Sequence, residues 1–319
     1  MERRRRIGAY GVCRDGGGRV LLVRASARSA RPGTWFLPGG GIEHGEHPAD
    51  AAVREFAEET GLTVEITGVR DVVAEVVRRP PAWEHTDGVV YLVSVVGGGL
   101  RSEVDGTSDA VRWVAPQEAA VLPLSGFAAR ALGLPVPEPA RPPTTAPAPR
   151  TSPPAGPARP APPPRPARGQ RFAAYGLVTD SDGRVLLTVN AEGYPGAGRW
   201  HLPGGGTDFG EQPTDGLIRE IREETDQSGR VTGLLAVTHH RNRSAVGPDG
   251  GPVDWHGVRA VYRVEVADPS PPRVLDLGGS TSDAAWFHPD EVASLPLTDI
   301  AGDVLGRDGW RTGRMASAR

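Results

Sequence analysis

The chain repeats itself. Ala9-Tyr10-Gly11 recurs as Ala174-Tyr175-Gly176, and Gly18-Arg19-Val20-Leu21-Leu22 recurs as Gly183-Arg184-Val185-Leu186-Leu187. Trp35 and Leu37-Pro38-Gly39-Gly40-Gly41 return as Trp200 and Leu202-Pro203-Gly204-Gly205-Gly206, at a constant offset of 165 that holds without a gap from Ala9 to Thr60. Whatever one copy folds into, the other must fold into as well, so the chain is two versions of one domain. Its 319 residues suffice for two domains of ordinary size.

Between the copies the composition changes abruptly. Residues 135–168 hold 15 prolines in 34 positions and almost no large apolar side chain. Such a segment cannot bury enough surface to offset its chain entropy and is expected to be an extended, disordered tether. The expected organisation is a first module over residues 1–134, a Pro/Ala-rich linker over 135–170 and a second module over 171–319. The long tether permits the modules to pair within one chain or between chains.

Composition removes several function classes. The only cysteine, Cys13, excludes an internal disulfide and a Cys-rich zinc site. All 36 basic residues are Arg, so neither a Schiff-base lysine nor a phosphate-loop lysine is present. A net charge of −3 gives no electrostatic reason to expect nucleic acid as a partner. No apolar run is long enough for a membrane helix, and Ile7–Val12 is too short for a secretory signal core. These features lead us to expect a cytoplasmic protein without a membrane partner. Arg3–Arg6 reads as a solvated basic arm.

Each copy reads as mixed α and β. β-branched runs at 20–23, 64–77 and 89–96, with partners at 185–188, 231–237 and 258–266, predict strands. A long helix follows each Gly triplet. It opens at Pro48 or Pro213 and turns Ala49, Ala52, Val53 and Phe56, or Leu217, Ile218 and Ile221, inward. Ser125 and Thr298 are placed to cap a second, shorter helix.

The first helix carries the chemistry. Glu55, Glu58 and Glu59 fall at i, i+3 and i+4, as do Glu220, Glu223 and Glu224, so three carboxylates crowd one face within a turn. Like charges at this spacing oppose the helix unless something compensates them. Hard oxygen donors in this number suit Mg²⁺ or Mn²⁺ bridging to a substrate phosphate. An ordinary solvated acidic face does not account for the full pattern of Gly, five residues, Glu, seven residues, then Arg-Glu-apolar-x-Glu-Glu.

That pattern resembles the signature of the Nudix hydrolase family, of the MutT-like kind. Gly40, Glu46 and Arg54-Glu55-Phe56-Ala57-Glu58-Glu59-Thr60-Gly61-Leu62 fill it without a mismatch. Gly205, Glu211 and Arg219 to Thr225 fill it again, until Asp226-Gln227 stand where a glycine and an aliphatic residue belong. The resemblance implies two α/β/α sandwiches with mixed sheets. It also implies divalent-metal-dependent hydrolysis of a nucleoside diphosphate linked to another group. By motif position, Glu55, Glu58 and Glu59 with the Gly40 carbonyl, and Glu220, Glu223 and Glu224 with the Gly205 carbonyl, would be metal ligands. One glutamate in each set would activate water. Arg54 and Arg219 would orient the adjacent glutamates, and Glu46 and Glu211 would be outer carboxylates. At Asp226 we expect a shifted helix end and lowered activity with the metal site intact.

Other residues leave alternatives open. His85 and His256, six residues before Tyr91 and Tyr262, are either substrate contacts or hydrogen-bonded structural histidines. Asp109 and Asp283 could supply a further carboxylate, Trp83 and Trp255 could stack a base, and His239-His240 reads as a strand end or loop. No substrate-binding residue is assigned. Two functional readings remain: both modules hydrolyse, or one is a non-hydrolysing nucleotide sensor that regulates the other.

Overall fold

The structure is a computed structural model that describes residues 2–79, 81–102, 107–136, 167–246, 250–276 and 278–306. Most of the expected linker, and therefore its expected disorder, lies outside the described residues.

The first module contains β1 (Glu2–Cys13), β2 (Val20–Ala25), β3 (Trp35–Phe36), β4 (Gly39–Gly41), α1 (Pro48–Thr60), β5 (Leu62–Arg79), β6 (Ala82–Gly98), β7 (Ser108–Val114), α2 (Pro116–Ala119) and α3 (Gly126–Leu132). The second repeats the order with β8 (Ala167–Asp180), β9 (Val185–Asn190), β10 (Trp200–His201), β11 (Gly204–Gly206), α4 (Pro213–Thr225), β12 (Arg230–Val246), β13 (Pro252–Val266), β14 (Thr281–Phe287) and α5 (Asp299–Leu305). The sheets are mixed: β1 runs parallel to β6 and antiparallel to β4, and β8 runs parallel to β13 and antiparallel to β11. In module 1, β3-β2-β7 is a separate small sheet; in module 2 the equivalent strands join the main sheet through β8–β9.

Alternation along the central strands sends side chains to opposite faces, and each face is covered by a helix. Ala51, Ala52 and Phe56 of α1 pack on one side of module 1, and Phe127, Ala128 and Ala131 of α3 pack on the other. Leu217 and Ile221 of α4 do the same for module 2, opposite Ile300, Ala301 and Val304 of α5. The α/β/α sandwich is therefore built twice.

Several local expectations change. Arg3–Arg6 is not a free arm but the start of β1, paired with Trp83–Thr86. Its charges are met by neighbours: Arg5 bonds Asp87 (3.0 Å), and Arg6 lies 3.9 Å from Glu84. Ala167–Gln170, assigned to the linker by composition, is likewise the start of β8, paired with Val253–His256. Ser125 caps α3 by accepting from the Ala128 amide (3.0 Å), but Thr298 makes no such cap. Its hydroxyl instead lies 2.6 Å from His201 Nδ1.

The helix end at Asp226 is also not shifted. α4 spans 13 residues, as α1 does, and Asp226 takes the left-handed conformation (φ 55°) that Gly61 takes in module 1 (φ 70°). The buried Gln227 explains why the end holds. Its amide donates to the Thr225 carbonyl (3.1 Å) and Ser270 Oγ (3.0 Å), and its Oε1 accepts from the Ser270 amide (3.0 Å). Asp226 is the only non-glycine at positive φ among the described residues. Asp226→Gly is expected to raise module 2 stability by about 1 kcal/mol, read as a higher unfolding midpoint in denaturant. The reverse change, Gly61→Asp, should destabilise more, because a Cβ there would sit 2.6 Å from the Gly99 carbonyl oxygen.

The modules meet along a pseudo-symmetric seam. The amide of Gly45 donates to His256 Nδ1 (3.1 Å), and the equivalent amide of Gly210 donates to His85 Nδ1 (3.0 Å). Around these shared contacts the two halves differ. Gln212 exchanges two hydrogen bonds with the backbone of Ala74, where His47 instead meets His239 edge to face. Phe209 packs on His85, where His44 packs on His256. His239 thus faces the seam and His240, next along β12, meets Arg259 (3.2 Å) of its own module; both lie within a strand, not at its end.

Burial of His239, His240 and His256 makes the half that contains them acid-sensitive. Burial, together with the charges of His239, His44, Arg241 and His240, holds His256 down to about 4 from its ordinary 6.5. Glu46 and Asp254 are the carboxylates nearby, the latter tied to Arg241 (2.6 Å) and close to His44 (3.3 Å). Folded His256 stays neutral where the unfolded chain would protonate it. Its stabilising contribution is full above pH 6.5 and is lost as pH falls toward 4. Burial lowers His239 and His240 as well, and they share this titration, so the expected loss is about 1–2 kcal/mol. Thermal unfolding of the full chain should show it, and His256→Asn, which keeps an acceptor but cannot titrate, should be flatter with pH.

Candidate active site

Each Gly triplet pairs with the first strand of its module, Ala9 with Gly40 and Ala174 with Gly205, and this brings the triplet over the carboxylate face of the following helix. The Gly39 amide donates to Glu59 (2.9 Å), and the Gly204 amide donates to Glu224 (2.8 Å).

Arg54 organises the rest of the first site. It donates twice to Glu46 (2.9 Å each), to Glu55 (2.9 Å), to Glu58 (3.4 Å) and to the Gly41 carbonyl (3.1 Å). Arg219 repeats the set with Glu211 (2.9 and 3.1 Å), Glu220 (2.9 Å), Glu223 (3.0 Å) and Gly206 (3.2 Å). This is the compensation that the crowded glutamates require. Every side chain singled out in the signature is therefore brought to one place in each module.

The electrostatics divide the carboxylates. Hydrogen bonds from Arg54 hold Glu46 below the usual carboxylate range. Burial pushes Glu211 up, but the bonds from Arg219 and the Asp208 amide outweigh it and leave it lowered. Burial raises Glu55 and Glu220 more than their arginines lower them. Glu224 is pushed up to about 7, chiefly by burial, despite hydrogen bonds from Thr281 and the Gly204 amide. Buried carboxylates that gain protons this readily are short of positive charge, and an added cation would meet that need.

The donor set fits a hard divalent ion: carboxylate oxygens with a backbone carbonyl alongside. No three such side chains among the described residues already converge on one ion position. The arginines hold them instead, and the half-exposed Glu58 and Glu223 are the members that side-chain rotation would bring in.

Module 2 adds residues that the signature does not contain. A small cleft is lined by Glu220, Glu223, Glu224, Val274, Asp276, Ser280 and Thr281. The loop bearing Asp276 is held there because the amides of Leu275 and Asp276 donate to the Glu223 carbonyl (2.8 and 3.1 Å). Its one signal in the sequence is the polar Gln227 at an aliphatic position, since Gln227 anchors that loop through Ser270. Asp109 and Asp283 take no part in these clusters: Asp109 pairs with Arg24 (2.8 Å), and Asp283 accepts from the next amide (2.8 Å). His85 and His256 are fully buried and hydrogen-bonded in the seam.

No helix among the described residues is long and apolar enough to cross a membrane. The family profile of the NUDIX domain matches residues 2–132 and again 169–305. A putative 8-oxo-dGTP diphosphatase 3 of Mycobacterium tuberculosis is 41% identical over 119 residues, which are 36% of this chain and 53% of that protein. An ADP-ribose pyrophosphatase of Methanocaldococcus jannaschii is 33% identical over 87 residues, 27% of this chain and 50% of that protein. The chain thus spans about half the length of these curated relatives. Among solved structures, the MutT Nudix hydrolase of Burkholderia pseudomallei is 28% identical and aligns over 44% of this chain and 98% of its own, with a TM-score of 0.35. With a profile match on both halves and the signature side chains assembled in both, the chain belongs to the Nudix family.

Proposed function

We propose that this protein is a pyrophosphohydrolase with two catalytic modules, 1–134 and 167–319, on either side of a linker at 135–166. Each module cleaves a phosphoanhydride in a nucleoside diphosphate derivative by water attack on phosphorus. The observation that carries this reading is the arginine bracket, built twice: Arg54 holds Glu46, Glu55 and Glu58 beside the Gly41 carbonyl, and Arg219 holds Glu211, Glu220 and Glu223 beside the Gly206 carbonyl. The Gly40 carbonyl with Glu55, Glu58 and Glu59 would hold Mg²⁺ or Mn²⁺ in module 1, and Gly205 with Glu220, Glu223 and Glu224 would do so in module 2. Such ions neutralise a pyrophosphate and lower the pKa of bound water.

The protein's own groups supply the rest. Arg54 and Arg219 fix the glutamates at the helix face, and Glu46 and Glu211 fix the arginines. Glu55, Glu58 and their counterparts are the carboxylates in reach to take a proton from the attacking water. The Gly triplets leave room for phosphate oxygens to approach backbone. The candidate substrates are nucleoside triphosphates (oxidised ones first, given the mycobacterial relative), nucleotide sugars, ADP-ribose and dinucleoside polyphosphates.

The test is hydrolysis of this panel by the full chain, with Mg²⁺ and with a chelator, products resolved by chromatography. Metal-dependent release of a mononucleotide from one class is the expected result. Silence across the panel would overturn the reading. One observation favours the sensor alternative for module 2: Glu224 is only 6% exposed and already held by Thr281 and Gly204. Nucleotide binding without turnover at that module would support it.

A further inference from the structure

The seam contacts fall on the two loops that carry the outer carboxylates. Gly45 immediately precedes Glu46, and Gly210 immediately precedes Glu211. Glu46 closes its loop by accepting from the Glu43 amide (2.8 Å), and Glu211 accepts from Asp208 (2.7 Å). Both then grip the arginine that brackets the remaining glutamates. Two short paths follow. One runs from His256 through Gly45, Glu46 and Arg54 to Glu55 and Glu58. The other runs from His85 through Gly210, Glu211 and Arg219 to Glu220 and Glu223. Each starts in one module and ends at the carboxylates of the other.

The histidines are suited to this role. A backbone amide can only donate, so Nδ1 of each ring is bare and the proton is on Nε2. On His256 that Nε2 lies 3.3 Å from His239 Nδ1, and Gln170 stands 3.2 Å from its Nδ1. On His85, Nε2 lies 3.2 Å from Asp87, which Arg5 holds (3.0 Å) while also reaching the backbone and hydroxyl of Thr207 in module 2. Both rings are completely buried, and neighbours on both sides fix their orientation.

We propose that His85 and His256 are positioning residues in trans: each fixes the carboxylate loop of the opposite module, so neither site is complete without the other half of the chain. The inference rests on the hydrolase reading for its effect on turnover. Its signature is crossed, since a substitution in one module acts on the reaction of the other.

The test uses full-length chains with one live module each. With Glu58→Gln silencing module 1, His85→Leu should lower kcat of module 2 roughly tenfold or more, with KM changed far less, because misplacing an aligned group chiefly costs the chemical step. With Glu223→Gln silencing module 2, His256→Leu should do the same to module 1. His85→Asn and His256→Asn, which keep an acceptor near the Nδ1 position, should restore most of the loss. If His85→Leu does not fold, His85→Gln, whose amide reaches past that position, gives the same crossed comparison.

Amide hydrogen exchange supplies a readout apart from activity. His85→Leu should speed exchange at Gly210 and leave Gly45 protected, and His256→Leu should do the reverse. Losses confined to the module bearing the substitution, or unchanged exchange at the opposite glycine, would overturn the proposal. An inactive parent chain would contradict the hydrolase reading alone, and the exchange result would still decide whether the histidine holds the opposite loop.

Discussion

Glu58→Gln should lower hydrolysis by module 1 roughly a hundredfold or more, and Glu223→Gln should do the same to module 2. Each substitution removes one negative charge and one proton acceptor while keeping size and hydrogen-bonding shape. Glu58 and Glu223 are the half-exposed members of their clusters, their carboxylates paired with Arg54 (3.4 Å) and Arg219 (3.0 Å), so the change leaves the core untouched. Stability should move by less than about 0.5 kcal/mol. Initial rates on each active substrate, measured with both single variants and the double variant, check this. A substrate handled by one module loses activity in one single variant only. A double variant that retained parental rates would remove these glutamates from the mechanism.

Gly39→Ala and Gly204→Ala should act in the opposite way, on the fold. Both glycines have positive φ, 142° and 130°, in a strand that lies against the first strand of its module. A Cβ at Gly39 would overlap the Ala9 carbonyl oxygen and stand 2.6 Å from Tyr10 Cα; at Gly204 it would overlap the Ala174 carbonyl oxygen and stand 2.8 Å from Tyr175 Cα. Backbone cannot yield as a flexible side chain does, so each substitution should cost about 3 kcal/mol or more. Gly18→Ala is the control. It also has positive φ but nothing within 4 Å of a new Cβ, so only the conformational term of about 1 kcal/mol remains. Chemical denaturation of the three variants should separate them in that order. Gly40→Ala belongs with the active-site variants, because its Cβ would overlap the carboxylate of Glu55 and displace it from the cluster.

The signature was legible because it is local. Glu55, Glu58 and Glu59 share a helix, and Arg54 and Glu46 reach them within one loop and two turns, so spacing alone places them together. The core face of each helix was legible for the same reason. The seam was not. His85 and Gly210 are 125 residues apart, and His256 and Gly45 are 211 apart, so periodicity within a segment cannot pair them. Arg3–Arg6 lacks the alternation that announces a half-buried strand, yet pairing with β6 and the acidic partners Asp87 and Glu84 makes it one. At Asp226 the sequence showed the departure and not its remedy. The remedy is Gln227, whose polar side chain replaces an apolar contact with three hydrogen bonds to Thr225 and Ser270.

Water attack on phosphorus at two carboxylate clusters is the proposed chemistry. Its most direct test is turnover in isotopically heavy-oxygen water, with mass analysis of the products of the parent chain and of the Glu58→Gln, Glu223→Gln double variant. The expected result is one heavy oxygen per cleavage, carried on a phosphate-bearing product of the parent chain, and almost no product from the double variant. Label on a sugar carbon, or equal turnover by the double variant, would contradict it.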